Sequence, residues 1–116
     1  MVRLPEHGRD VFRGVPQDHF RFKQAIQGIA RPRRAQGATT PELHNAGITE
    51  DSPFTSWTRS LDVAARYSGK GGVILVWPLG LPPAGAKWSW EWSPDVYFEQ
   101  EVLIRGTIRG ATVIHT

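Results

Sequence analysis

Residues 54–77, FTSWTRSLDVAARYSGKGGVILVW, decide the fold class because three kinds of local structure follow one another in them. Phe54–Thr58 is aromatic and hydroxyl-rich and reads as an extended segment. Ser60, with Asp62 behind it, reads as the cap of a short helix through Tyr67, because a serine oxygen can accept a bond from an amide that the first helical turn leaves free. Gly69-Lys70-Gly71-Gly72 then forms a turn, and Gly72–Trp77, a β-branched and aliphatic run, is the strongest strand of the chain. Strand, helix and strand at such short range predict a mixed α/β domain. The Gly-Lys pair is not a phosphate-binding P-loop: the glycine five places earlier is missing, no Ser or Thr follows Lys70, and the order is helix, turn, strand.

Working outward toward the N-terminus, Asp10–Val15 (DVFRGV) reads as a first strand stopped by Pro16, with Arg13 set among apolar residues and in want of a partner. From Asp18 to Ala30 the apolar positions Phe22, Ala25, Ile26 and Ile29 recur at helical spacing, with Asp18 as N-cap and Pro32 as stop. Residues 31–51 are rich in Pro, Gly, Thr and Arg and read as a long loop, of the kind that often carries function. Its Arg31-Pro32-Arg33-Arg34 run reads as a solvated loop, with steering of an acidic target or RNA as the alternative. Toward the C-terminus, Trp88, Trp90 and Trp92 alternate at period two, which places the three rings on one face of an extended segment. Strands over Glu99–Ile104 and Thr107–Ile114 complete the expectation.

A chain of 116 residues, 40% of them hydrophobic, has the size of one domain with one core, so residues 1–116 are read as a single unit. The formal charge of +3 and a pI near 9.8 favour encounter with a nucleotide, a nucleic acid or an acidic protein. Without cysteine there is no disulfide, thiolate nucleophile or zinc-thiolate site. His7, His19, His44 and His115 lack metal-ligand spacing, so no metal is expected. No apolar run is long enough to span a membrane, and no basic start leads into an apolar segment, so neither insertion nor autonomous secretion is expected.

The remaining feature is FEQEVLIRG, residues 98–106, where Glu99 and Glu101 stand at the mouth of an apolar run. Residues two apart in a strand share a face, so the carboxylates lie side by side and repel. Either both are solvated at an edge, or a site uses one to stabilise positive charge and the other to accept a proton. The order of three elements favours the site: an arginine in the first strand (VFRG), a hydroxyl strand entering a helix (FTSWTRSLDVAARYSG), and the acidic strand start.

That order resembles the arginine, serine and glutamate class of mono-ADP-ribosyltransferases, which includes bacterial toxins, and the resemblance runs from Val11 to about Ile114. It implies an ADP-ribosyltransferase-like fold of two small packed β-sheets with few helices around an NAD-binding cleft. It implies that Glu101 stabilises the oxocarbenium-like ribose and holds a ribose hydroxyl, and that Ser56 orients Glu101. Arg13 would meet the phosphates or ribose of NAD+, and Gly14 would let the backbone approach the nicotinamide amide. Thr58 is the second hydroxyl, although the middle residue of the segment is Trp57, and either Thr55-Ser56 or Ser56-Thr58 supplies the matched pair.

Glu at position 99, as opposed to Gln, goes in this class with a protein arginine as acceptor, which Glu99 would position and deprotonate. Trp92 and Tyr97, close to the glutamates, are candidates for gripping that acceptor. The resemblance further implies a toxic module of a larger bacterial protein delivered by a secretion system, acting as a monomer in the target cell's cytoplasm and neutralised by an immunity protein. Its rivals are an NAD+ glycohydrolase or a transferase to nucleic acid using the same cleft, a small basic nuclease, and a noncatalytic binding module.

Overall fold

The computed structural model describes residues 10–34, 36–40, 43–44, 50–78, 90–92 (backbone alone) and 101–116. The strands are β1 (Asp10–Val15), β2 (Phe54–Thr58), β3 (Val73–Pro78), β4 (Trp90–Trp92), β5 (Glu101–Arg105) and β6 (Thr112–His115), and the helices are α1 (Phe22–Ala25) and α2 (Leu61–Ser68). The chain is thus a mixed α/β domain with little helix. Among the described residues no helix is long and apolar enough to cross a membrane.

All six strands join one antiparallel sheet in the order β4-β5-β2-β1-β3-β6, which corrects the expectation of two packed sheets. The join between its halves is narrow. β1 pairs with β3 along its whole length, from Asp10↔Pro78 to Val15↔Val73, and β2 pairs with β5 from Phe54↔Arg105 to Thr58↔Glu101. Between β1 and β2, by contrast, the single register pair is Phe12↔Thr58. Two three-stranded ribbons therefore meet at one point and part beyond it, and the opening between them is where the candidate site lies.

Trp57, Val11, Val15, Leu75, Val102 and Ile104 form the centre of the buried core, closed by Ala25, Ala30 and Ile108 from α1 and the segments after it. The indole N–H of Trp57, buried within the sheet, is satisfied by Thr55 Oγ1 at 2.7 Å. Helix α2 starts as its sequence predicts: Ser60 Oγ accepts the Val63 amide at 3.2 Å, and Gly69, at φ 61°, takes the left-handed conformation past its end.

The helix expected over 18–30 shrinks to the single turn of α1, with Arg21 and not Asp18 at its N-cap and no side-chain bond there. Gly28 turns the chain at φ 78°, its carbonyl accepts the Ala111 amide at 3.0 Å, and Ala30 bridges Ile108. Pairing with a distant segment has overridden the local helical period. The same pairing shortens the strand expected over 107–114: Ile108 serves the bridge, Gly110 turns at φ 80°, and β6 begins only at Thr112.

Helix α2 lies close against β1. A Cβ on Gly14 would collide with the carbonyl oxygen of Ala64, a main-chain atom held inside the helix. Gly14→Ala is expected to push α2 off the sheet and destabilise the fold by about 3 kcal/mol, the upper end of ordinary overpacking, read as a lowered urea midpoint. A midpoint unchanged from wild type would mean that α2 does not pack this closely.

Candidate active site

Where the ribbons part, a cavity of about 350 Å³ opens beneath α2, and Arg13, Gly14, Ser56, Thr58 and Glu101 all line it. Strand geometry explains the convergence. Thr58 and Glu101 are directly opposed in the β2–β5 ladder and share a face, and Ser56, two residues along β2, lies on that face too. Ser56 and Thr58 are the hydroxyl pair that lines the cavity, with Trp57 between them also at its wall, while the buried Thr55, whose Oγ1 accepts the Trp57 indole N–H, lines a neighbouring hollow instead. Thr58 also shapes the entry to α2, since its Oγ1 accepts the Ser60 amide at 3.0 Å. Glu101 opens β5 half-buried, and among the described residues no hydrogen bond or ion pair engages its carboxylate.

Arg13 is paired in register with Leu75 on β3, and its guanidinium spans the opening so that Nη1 donates to the main-chain oxygen of Ser56 at 3.0 Å. No carboxylate among the described residues pairs with it. Burial, with Arg21 adding like charge, pushes its pKa down to about 10. A partly buried cation with no counter-charge among the described residues is electrostatically costly, and an incoming anion relieves it.

A second hollow of about 210 Å³ adjoins the first and shares Arg13, His19 and Ser56 with it. Arg21, Arg31, Arg33 and His44 also line it, and among the described residues no Asp or Glu does. The guanidinium groups of Arg21 and Arg33 lie 5.0 Å and 4.9 Å from the centre of the exposed Phe20 ring. Arg21 is held by Gln24 Oε1 at 3.3 Å and the Pro32 carbonyl at 3.1 Å, while its buried Nε has no hydrogen-bond partner. In the Arg31–Arg34 run Arg33 and Arg34 are exposed, as a solvated loop has them, and Arg31 is half-buried. Arg31 and Arg33 border the hollow, and among the described residues Arg34 alone of the run meets an acid, Asp51, at an exposed 3.4 Å contact.

His44 is a residue of the site that the sequence did not single out. It sits on a helical turn in which Thr40 Oγ1 accepts the Leu43 amide and the Thr40 carbonyl accepts the His44 amide. From there its ring bonds Ser52 Oγ through Nδ1 and Ser56 Oγ through Nε2, the latter at 3.0 Å. Nothing in the spacing of His44 to Ser52 and Ser56 announces this, because the loop that brings them together has no periodicity.

Burial holds the His44 pKa below the ordinary imidazole value of 6.5; Glu101 opposes the shift and Arg13 adds to it. His19 is lowered as well, first by burial and then by Arg13, Arg21 and Arg33, against Asp18. Both rings bind a proton less readily when folded than when unfolded, so their contribution to stability is present above pH 6.5 and is lost as pH falls below it. The urea midpoint is expected to fall on acidification from pH 7 to 5.5, and less so in His44→Gln; equal pH dependence in the two proteins would remove His44 from this account.

Of the other expected residues, Glu99 and Tyr97 lie outside the described residues, and Trp92 is described in its backbone alone, paired with Val102 beside the cavity strand. Among the described residues no group of His, Asp and Glu is arranged to hold a metal ion. Comparison with protein-family models, with curated proteins and with solved structures finds no match, so the functional reading rests on the residues and their geometry.

Proposed function

We propose that the chain is a mono-ADP-ribosyltransferase that breaks the bond between nicotinamide and ribose in NAD+ and transfers ADP-ribose to an arginine of a target protein. The observation that carries this reading is that Arg13, Gly14, Ser56, Thr58 and Glu101, singled out from the sequence by their order and by the resemblance it carries, line one cavity. Arg13, without a carboxylate partner among the described residues, and the arginine-lined hollow next to it suit the diphosphate of NAD+, because guanidinium groups bind phosphate oxygens in pairs. The cavity, with Glu101 and the hydroxyls, then receives the nicotinamide riboside.

As the glycosidic bond lengthens, nicotinamide leaves with the bonding electron pair and the ribose C1′ gains positive charge, which the Glu101 carboxylate stabilises. The acceptor nitrogen forms the new bond to C1′ and gives its proton to a base, a role the resemblance assigns to Glu99. Water in place of the acceptor would make the protein a glycohydrolase. Transfer to nucleic acid is a second reading, favoured by the exposed Phe20 between two arginines, which is the kind of surface on which a base stacks. Delivery within a larger bacterial toxin, action in the cytoplasm of the target cell and an immunity partner belong to the same proposal and rest on the resemblance.

The test is to incubate the protein with labelled NAD+ and a cell lysate and to follow nicotinamide release together with label in protein and in RNA. Glu99→Gln is expected to keep nicotinamide release and to lose most label transfer to protein. Label in RNA would move the acceptor, release without label would make water the acceptor, and no consumption of NAD+ would overturn the proposal.

A further inference from the structure

The hydrogen bonds around His44 fix which ring nitrogen carries the proton. Ser52 is fully buried, and its Oγ already accepts the Phe54 amide at 3.1 Å. Its hydroxyl hydrogen needs an acceptor, since a buried donor left unmade costs free energy. The partner in place is His44 Nδ1. A neutral imidazole has one donor and one acceptor nitrogen. Burial and Arg13 keep the ring neutral at pH 7 despite Glu101. Nδ1 therefore accepts from Ser52, Nε2 carries the proton, and Nε2–H donates to Ser56 Oγ at 3.0 Å.

The polarity of this chain decides what Ser56 can do. With Nε2–H bonded to its oxygen, the serine hydroxyl directs its own hydrogen away from His44 and is a donor to whatever else the cavity holds. Glu101 is the carboxylate on that wall. It is opposed to Thr58 and so stands diagonally to Ser56 on the same face, at a spacing of roughly 7–8 Å between backbones; no hydrogen bond joins the two side chains in the structure, and the Ser56 donor is the group the carboxylate would meet on closing that gap. Under the reverse polarity, with Ser56 donating to His44, the carboxylate would face only serine lone pairs and be repelled by them.

We infer that His44 is a positioning residue: held by Ser52, it fixes Ser56 as a hydrogen-bond donor toward Glu101, along a chain running from the Phe54 amide through Ser52, His44 and Ser56. The inference rests on the reading of Glu101 as the reacting carboxylate. His44 itself touches neither NAD+ nor acceptor in this account, and its effect is carried entirely through Ser56.

Two measurements separate the inference from that reading. The first is the imidazole 15N spectrum of the purified protein at pH 7 without NAD+. It is expected to show the Nε2-protonated tautomer for His44, shifting to a mixture in Ser52→Ala. An Nδ1-protonated ring in the wild type would overturn the inference whatever the protein's activity.

The second is nicotinamide release from NAD+ by His44→Ala, His44→Gln and His44→Asn, each also made on Ser56→Ala. His44→Ala is expected to lower kcat about tenfold with KM for NAD+ nearly unchanged. His44→Gln, whose amide reaches the Nε2 position and can donate there, is expected to recover most of the loss, and the shorter His44→Asn is not. On Ser56→Ala the His44 substitutions are expected to change kcat less than twofold, because the group they act through is gone. An equal loss with and without Ser56, or no difference between Gln and Asn, would overturn the inference. No release by the wild type would instead overturn the reading of Glu101, while the tautomer still decides the polarity of the chain.

Discussion

Glu101→Gln is expected to lower kcat for nicotinamide release by about 10³-fold while leaving the urea midpoint close to wild type. The amide matches the carboxylate in shape but lacks the negative charge that stabilises C1′, and such a loss corresponds to about 4 kcal/mol of transition-state stabilisation. Stability is expected to hold because Glu101 is half-buried at the start of β5, and among the described residues its side chain makes no hydrogen bond or ion pair that the change would break. The backbone pairing of Glu101 with Thr58 is indifferent to the substitution. KM for NAD+ should move little, since the charge acts mainly on the transition state. A loss of less than about tenfold would mean that Glu101 is a solvated strand edge and that the cavity serves another purpose.

Much of this arrangement is written locally in the chain. β1 and β2 fall where alternation, Pro16 and the hydroxyl run put them, and α2 is announced by Ser60 and Gly69. The order of Arg13, Ser56 and Glu101 along the chain, together with the resemblance that order carries, picked out residues that the fold brings to one cavity. What the chain could not declare is pairing at a distance. The apolar spacing over 18–30 is genuinely helical, yet Gly28 and Ala30 are claimed by Ala111 and Ile108, partners about eighty residues away.

The two expected sheets are one for a related reason. Period-two patterns say that strands exist but not which edges meet, and here a single pair, Phe12↔Thr58, joins what would otherwise be two ribbons. His44 was hidden more deeply still. Its role depends on a loop conformation and on the direction in which two hydroxyls point, and neither leaves a trace in spacing.

Arg13→Met distinguishes a residue kept for the fold from one kept for a ligand. A buried arginine that serves the fold has an acidic partner, and removing it costs about 3–5 kcal/mol because the partner is left charged and unpaired. Arg13 has no such partner among the described residues, and its pKa, lowered to about 10 by desolvation and then by Arg21, means that the charged form is disfavoured in the folded protein. The sign follows from linkage. A depressed folded pKa means that the unfolded chain binds the proton more tightly, so at neutral pH the charge works against folding.

Methionine removes that charge and leaves one acceptor, the Ser56 carbonyl, without its donor, at a cost of about 1–3 kcal/mol. The two effects nearly cancel, and the urea midpoint of Arg13→Met is expected to equal or exceed that of the wild type. NAD+ should behave oppositely. At a hundredfold excess over its Kd it is expected to stabilise the wild type by about 2.7 kcal/mol, and Arg13→Met should lose nearly all of that shift, because the cation that meets the diphosphate is gone. Strong destabilisation of the unliganded variant would mark Arg13 as a structural residue. A retained NAD+ shift would place the diphosphate elsewhere, leaving the half-buried charge of Arg13 without a counter-ion among the described residues.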